Sequence, residues 1–112
     1  MTPSSPTVDL VSMQAAAAQA CALLKVLANP DRLLLMCQLS QGEMSVGELE
    51  VQLGIRQPTL SQQLTVLREN SLVATRRDGK NIFYSVASPE ALAVMAVLYQ
   101  QFCTTAREEP SC

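Results

Sequence analysis

Residues 45–70 read SVGELEVQLGIRQPTLSQQLTVLREN, and the fold of the whole chain turns on this stretch. Ser45 followed three positions later by Glu48 is a capping box. Its hydroxyl and carboxylate each take up a backbone amide that the start of a helix leaves unpaired, so a helix is predicted to begin here. Val46, Leu49 and Leu53 fall on one face of it. Gly54 supplies the left-handed conformation that closes a helix, and Pro58 suits the first turn of the next, where its missing N–H costs nothing. In that second helix Leu60, Leu64 and Leu67 face inward and leave Thr59, Ser61, Gln62 and Thr65 on the open side. The open side is uncharged and rich in hydrogen-bonding groups. It matches the major groove of DNA, where amides pair bidentately with adenine and small hydroxyls contact most base edges. Two amphipathic helices joined by a glycine turn are the plainer reading of the stretch taken alone.

The residues that follow favour DNA. Strand-like runs at 72–77 and 81–86 flank Asp78-Gly79-Lys80, and an Asp-Gly pair between such runs is a strong hairpin signal. A helix-turn-helix followed by a basic hairpin is a winged helix. The expected fold is therefore mainly α (α+β), with five helices and a two-stranded β-hairpin wing. The net charge is only −2, but its distribution matters more than its sum. Arg56, Arg68, Arg76, Arg77 and Lys80 stand against Glu69 and Asp78 between positions 56 and 80, a local balance of +3 that leaves −5 for the rest. Candidate DNA contacts are Arg56, Gln57, Thr59, Ser61, Gln62 and Thr65 on the reading helix, with Arg76, Arg77 and Lys80 on the wing. A solvated charged hairpin is the alternative, and it does not explain why the positive charge coincides with the reading helix.

Working outward, residues 10–27 hold six alanines and no Gly or Pro, so helix propensity is high throughout. Leu10, Met13, Ala17, Ala20, Leu24 and Leu27 form one stripe, and Val11, Ala18, Ala22 and Val26 extend it around the cylinder. Asn29-Pro30-Asp31 restarts the chain as a helix capped by Asn29, which runs to about Leu39 and carries Cys37. Ser88-Pro89-Glu90 opens a last helix expected to reach Thr104 or beyond. Leu92, Met95, Tyr99 and Phe102 make its main stripe, widened by Val94, Val97 and Leu98. The first and last helices carry more apolar surface than one buried face requires, which points to a two-fold homodimer. One domain is expected over residues 9–106, between polar tails at 1–8 and 107–112. The N-terminal residues lack the charge pattern of a signal peptide, and no uninterrupted apolar run nears the ~18 residues of a spanning helix. The expectation is a soluble, cytoplasmic protein with no membrane partner.

Enzyme chemistry finds little support. The chain has no His, no carboxylate pair in an apolar setting, no Gly-rich phosphate loop and no nucleophile beside a base, and nothing suggests a cofactor. Its four cysteines, at 21, 37, 103 and 112, form no Cys-x-x-Cys pair and are too few for a disulfide scaffold. By residue type alone each is readily a small apolar filler, and nothing local activates a thiol.

The order of elements resembles the ArsR/SmtB family of winged-helix repressors. The likeness rests on Leu27-Ala28-Asn29-Pro30-Asp31-Arg32-Leu33, the Ser45–Leu49 run, Gln57-Pro58-Thr59-Leu60-Ser61-Gln62-Gln63-Leu64 with Leu67-Arg68, and Phe83-Tyr84. It implies a dimer through the first and last helices that reads an inverted-repeat operator in double-stranded DNA. The arsenite-sensing type carries Cys-x-Cys where this chain has Ser45 and Gly47, and the zinc and nickel types use His on the last helix, so those metal sites are absent. The branch typified by BigR and SqrR responds to persulfides or oxidants through one Cys on the second helix and one near the end of the last. Cys37 and Cys103 stand at those two positions. The resemblance thus implies a redox switch in which reactive sulfur species or oxidants cross-link Cys37 to Cys103 and release DNA. Cys21 keeps the core reading, and Cys112 reads as an adventitious terminal thiol. Two alternatives remain open: a repressor responding to arsenite or another thiophilic metal through the same cysteines, and a regulator that acts by displacing another DNA-bound protein.

Overall fold

The computed structural model describes residues 9–103. The expected tails lie outside the described residues, as does Thr104. Five helices and three strands follow in the order α1 (Leu10–Leu27), α2 (Pro30–Leu39), β1 (Met44–Ser45), α3 (Val46–Leu53), α4 (Gln57–Glu69), β2 (Val73–Asp78), β3 (Asn81–Val86) and α5 (Pro89–Phe102). The sequence marks most of these boundaries through side chains that satisfy first-turn amides. The Asp9 carboxylate accepts from the Ser12 amide at 2.8 Å, and Asn29 Oδ1 accepts from Arg32 at 3.1 Å. Both halves of the capping box form, with the Ser45 amide donating to Glu48 Oε1 at 2.8 Å and the Glu48 amide to Ser45 Oγ at 3.2 Å. Gly54 closes α3 at φ 69°, the left-handed conformation that a side chain disfavours. Ser88 Oγ accepts from the Ala91 amide at 3.0 Å.

The expected two-stranded wing forms from β2 and β3, and a further strand extends its sheet. The sheet is three-stranded and antiparallel in the order β1-β3-β2, because Met44 and Ser45 pair with Tyr84 and Phe83 along the outer edge of β3. Two residues are too short to show alternation, so no sequence pattern announces this strand. The last helix also ends earlier than expected. Cys103 is its C-cap, with its amide donating to Tyr99 O at 2.8 Å.

The core is a leucine cluster shared by three helices. Leu35 and Met36 of α2, Leu49 of α3, and Leu60, Leu64 and Leu67 of α4 are fully enclosed, and Leu27, Leu72, Val73, Ala91 and Met95 pack around them. On α5 the inward stripe is Ala91, Val94, Met95 and Leu98, whereas Leu92, Tyr99 and Phe102, assigned by sequence to the main stripe, are exposed. On α1 only Leu27 is buried, while Val11 is 73 % and Leu24 54 % exposed. By length and composition α1 could cross a membrane. That differs from the sequence expectation, which counted uninterrupted apolar runs and was stopped by Gln14, Gln19 and Lys25. Here α1 joins the core at its C-terminal end through Leu23, Val26 and Leu27.

Leu64→Ala is expected to lower the unfolding free energy by about 2–5 kcal/mol. Val51→Ala, at a position 81 % exposed, is expected to change it by less than about 0.5 kcal/mol. Urea denaturation followed by circular dichroism measures both.

Candidate nucleic-acid interface

Packing fixes which side of α4 is free. With Leu60, Leu64 and Leu67 locked into the core, Gln57, Ser61, Gln62 and Thr65 are exposed and Thr59 is half-buried. The free face is partly organised by its own hydrogen bonds. Ser61 Oγ donates to Gln57 Oε1 at 3.1 Å, and Thr65 Oγ1 donates back to the Ser61 carbonyl at 2.8 Å. The start of α4 is open. Arg56, its N-cap, makes no side-chain capping bond, unlike the residues that cap α1, α2, α3 and α5. Open first-turn amides at the positive end of a helix dipole suit a phosphate.

The wing basic residues divide into two kinds. Arg76 is held by Glu43: its Nε donates to Oε2 at 3.0 Å and its Nη2 to Oε1 at 2.8 Å, a bidentate pair. Its Nη1 lies 3.8 Å from Asp78 Oδ2, and its guanidinium carbon sits 4.8 Å from the centre of the Phe83 ring. Glu43 is held below the usual carboxylate range by the hydrogen bonds from Arg76, and Arg76 is pushed up in return. Arg77 pairs across the ladder with Ile82, one position on from the Arg76–Phe83 pair, so the two arginines leave opposite faces of the sheet. Arg77 and Lys80 are exposed. The structure thus groups the predicted contacts on α4 and the tip of the wing, and sets Arg76 apart as a buttress. No motif in the sequence singles out Glu43. Its partner lies 33 positions away, and no local pattern marks such a pair.

The cysteines are placed as follows. Cys21 is an exposed free thiol, not the core residue expected, because among the described residues the side of α1 that meets the core runs through Leu23, Val26 and Leu27. Cys37 is a free, half-buried thiol whose proton affinity is raised by burial. It lines an open cleft of ≈ 630 Å³ between α2 and α5, with Ser40, Leu92, Met95, Tyr99 and Gln100. Cys103 is buried one turn beyond Tyr99 and is disulfide-bonded. Since Cys21 and Cys37 are free, that bond does not join Cys103 to Cys37. Cys112 lies outside the described residues. Among the described residues no three His, Cys, Asp or Glu side chains gather as a metal site.

Residues 29–75 match the model of the family described as "Bacterial regulatory protein, arsR family". The chain is also 54 % identical over 96 residues to the biofilm growth-associated repressor of Agrobacterium fabrum (strain C58 / ATCC 33970), covering 86 % of this chain and 82 % of that protein. The chain belongs to the ArsR family. The crystal structure of the transcriptional repressor BigR from Xylella fastidiosa superposes with a TM-score of 0.79 at 50 % identity, covering 85 % of this chain and 97 % of that one. A homodimeric winged helix-turn-helix DNA-binding domain from Mycobacterium bovis, a possible ArsR-family regulator, gives 0.70 at 28 % identity, covering 90 % and 89 %. The fold is thus the winged helix-turn-helix of ArsR-family DNA-binding transcriptional regulators.

The divided wing predicts a divided salt response. Arg77→Ala is expected to reduce the slope of log K for DNA against log salt by about one unit, and Arg76→Ala to leave it unchanged. Glu43→Gln frees Arg76 and is expected to steepen the slope by about one unit. Because the folded Glu43 carboxyl is depressed, its pairing holds above the ordinary carboxylate pKa and is lost only as pH falls through the lower folded value. Fluorescence anisotropy across a salt series checks the slopes.

Proposed function

We propose that this ArsR-family chain is a homodimeric transcriptional repressor that reads an inverted-repeat operator and lets go when Cys37 and Cys103 are cross-linked. The exposed apolar residues of α1 and α5 supply the dimer face. Two copies of α4 enter successive major grooves about 34–36 Å apart. Ser61, Gln62 and Thr59 read bases, supported by Gln57 and Thr65, while Arg56, Arg77 and Lys80 contact phosphates. The observation that carries the DNA reading is α4 itself, whose leucine face is locked in the core and whose opposite face is exposed, polar and uncharged. Gln62→Ala is expected to lose about 1–3 kcal/mol on the operator and little on random DNA. Equal loss on both would mean that another surface reads the bases.

What supports the switch is the α2–α5 cleft. Cys37 forms part of one wall, and Cys103 follows one helical turn after Tyr99 on the other. A bond between them would tie α2, which packs on the reading helix, to α5, whose exposed residues form the dimer face. Closing it takes two electrons and two protons from the dithiol, and a hydroperoxide accepts them as water and alcohol. An organic persulfide instead passes its outer sulfur to one thiolate, its own S–S bond breaking as the donor leaves as a thiolate, and the second protein thiolate then displaces hydrosulfide to close the disulfide. Cys103 must first be freed from its present disulfide by a small dithiol reductant, which supplies two electrons and two protons and is itself oxidised to a disulfide. The expected coupling is of order 1–3 kcal/mol, about 5- to 150-fold in DNA affinity.

Cys37→Ser and Cys103→Ser are expected to bind DNA and to resist release by organic persulfide or hydroperoxide, whereas Cys21→Ser and Cys112→Ser release normally. Because burial raises the Cys37 thiol and only the thiolate attacks, release is expected to quicken about tenfold per pH unit near neutrality. Release of Cys37→Ser by an oxidant would sink this mechanism. Release by arsenite or cadmium alone, with no mass change corresponding to a disulfide or polysulfide, would favour a thiophilic-metal response.

A further inference from the structure

Arg32 belongs to neither the reading face nor the cysteine pair, yet it ties three helices together. It lies on α2. Its Nε donates to the Val26 carbonyl at 2.7 Å, in the last turn of α1, and its Nη1 donates to Gln63 Oε1 at 2.9 Å, midway along α4. Its own amide is taken by Asn29 at the start of α2. All three bonds are partly buried. The last carbonyls of a helix have no intrahelical donor, and a cation there opposes the negative end of the dipole, so a guanidinium is well matched to Val26. Both side-chain bonds are charge-assisted, and they leave one rigid plane in fixed directions, which a lysine cannot reproduce.

Gln63 is the residue through which α4 feels this plane. It lies between exposed Gln62 and enclosed Leu64, and it is itself half-buried. Leucine packing alone tolerates some roll of a helix about its axis, because dispersion contacts have little directionality. A hydrogen bond from a fixed plane to the Gln63 carboxamide tolerates much less. A roll of half a residue step, about 50°, would swing Gln62 off a base edge.

We propose that Arg32 is a positioning residue for DNA recognition. By holding the Val26 carbonyl and the Gln63 carboxamide at once, it fixes the roll of α4 against α1, and hence the spacing at which two copies present their reading faces. This rests on the homodimeric reading above.

The test uses an operator selected by the wild-type protein from a random-sequence pool, and versions with one base pair added or removed between half-sites. Wild type is expected to lose affinity sharply when the spacing changes. Arg32→Met and Gln63→Met are each expected to bind the selected operator about tenfold more weakly, the scale of one charge-assisted hydrogen bond. The double variant is expected to be no weaker than either single one. All three should show a flattened spacing preference and unchanged affinity for random DNA, and light scattering should give the same mass as wild type. Arg32→Lys, which keeps the charge but cannot serve both acceptors, is expected to flatten the spacing preference as well, and it supplies the readout if Arg32→Met does not fold. Variants that keep the wild-type spacing preference would overturn the positioning role while leaving the dimer standing. A wild type indifferent to spacing would overturn the two-headed reading itself and this role with it.

Discussion

Everything in this molecule depends on one 13-residue helix that must serve two solvents at once. One face of α4 supplies three of the six fully enclosed large side chains of the core. The other is exposed, and in the proposed reading its hydroxyls and carboxamides meet base edges. The two demands are compatible because i, i+4 and i+7 fall on one stripe, so Leu60, Leu64 and Leu67 can be buried without drawing Ser61, Gln62 or Thr65 inward. Hydrophobic burial fixes the position of α4 strongly but its roll weakly. In the positioning role proposed above, the bond from Arg32 to Gln63 at its margin gives the direction that burial lacks.

Much of this was legible in the sequence because the deciding signals are local. A capping box spans four residues, Asp-Gly between strand-like runs marks a hairpin, and leucine spacing states which side of a helix is inward. Asn29, Ser45, Gly54 and Ser88 all do in the structure what their types and positions announce. What was not legible depends on residues far apart in the chain. The Glu43–Arg76 pair, the third strand and the Arg32 link join positions separated by up to about 40 residues, and no local period records them. The inward face of α5 was also misassigned. That helix is apolar almost all round, so periodicity could not tell the side packed against the core from the side left exposed.

The same excess of apolar surface explains Cys21. A small residue in an alanine-rich helix looks like core, yet within a single chain most of α1 lies open. The exposed faces of α1 and α5 are the dimer face proposed above, and a homodimeric winged helix-turn-helix domain from Mycobacterium bovis is among the similar solved structures. Cys37 differs in kind. It is half-buried in the wall of an open cleft, and burial disfavours its thiolate.

In the proposed mechanism two copies of α4 are presented one DNA turn apart, and their relation changes when α2 is tied to α5. The most direct measurement is the distance between spin labels placed on the exposed Glu69 of each protomer, by pulsed dipolar spectroscopy, in fully reduced and persulfide-treated protein. A single narrow distribution on the scale of one helical turn of DNA, about 34 Å, that shifts on treatment is the predicted result. Absence of any interprotomer distance, or one unmoved by the cross-link, would contradict it.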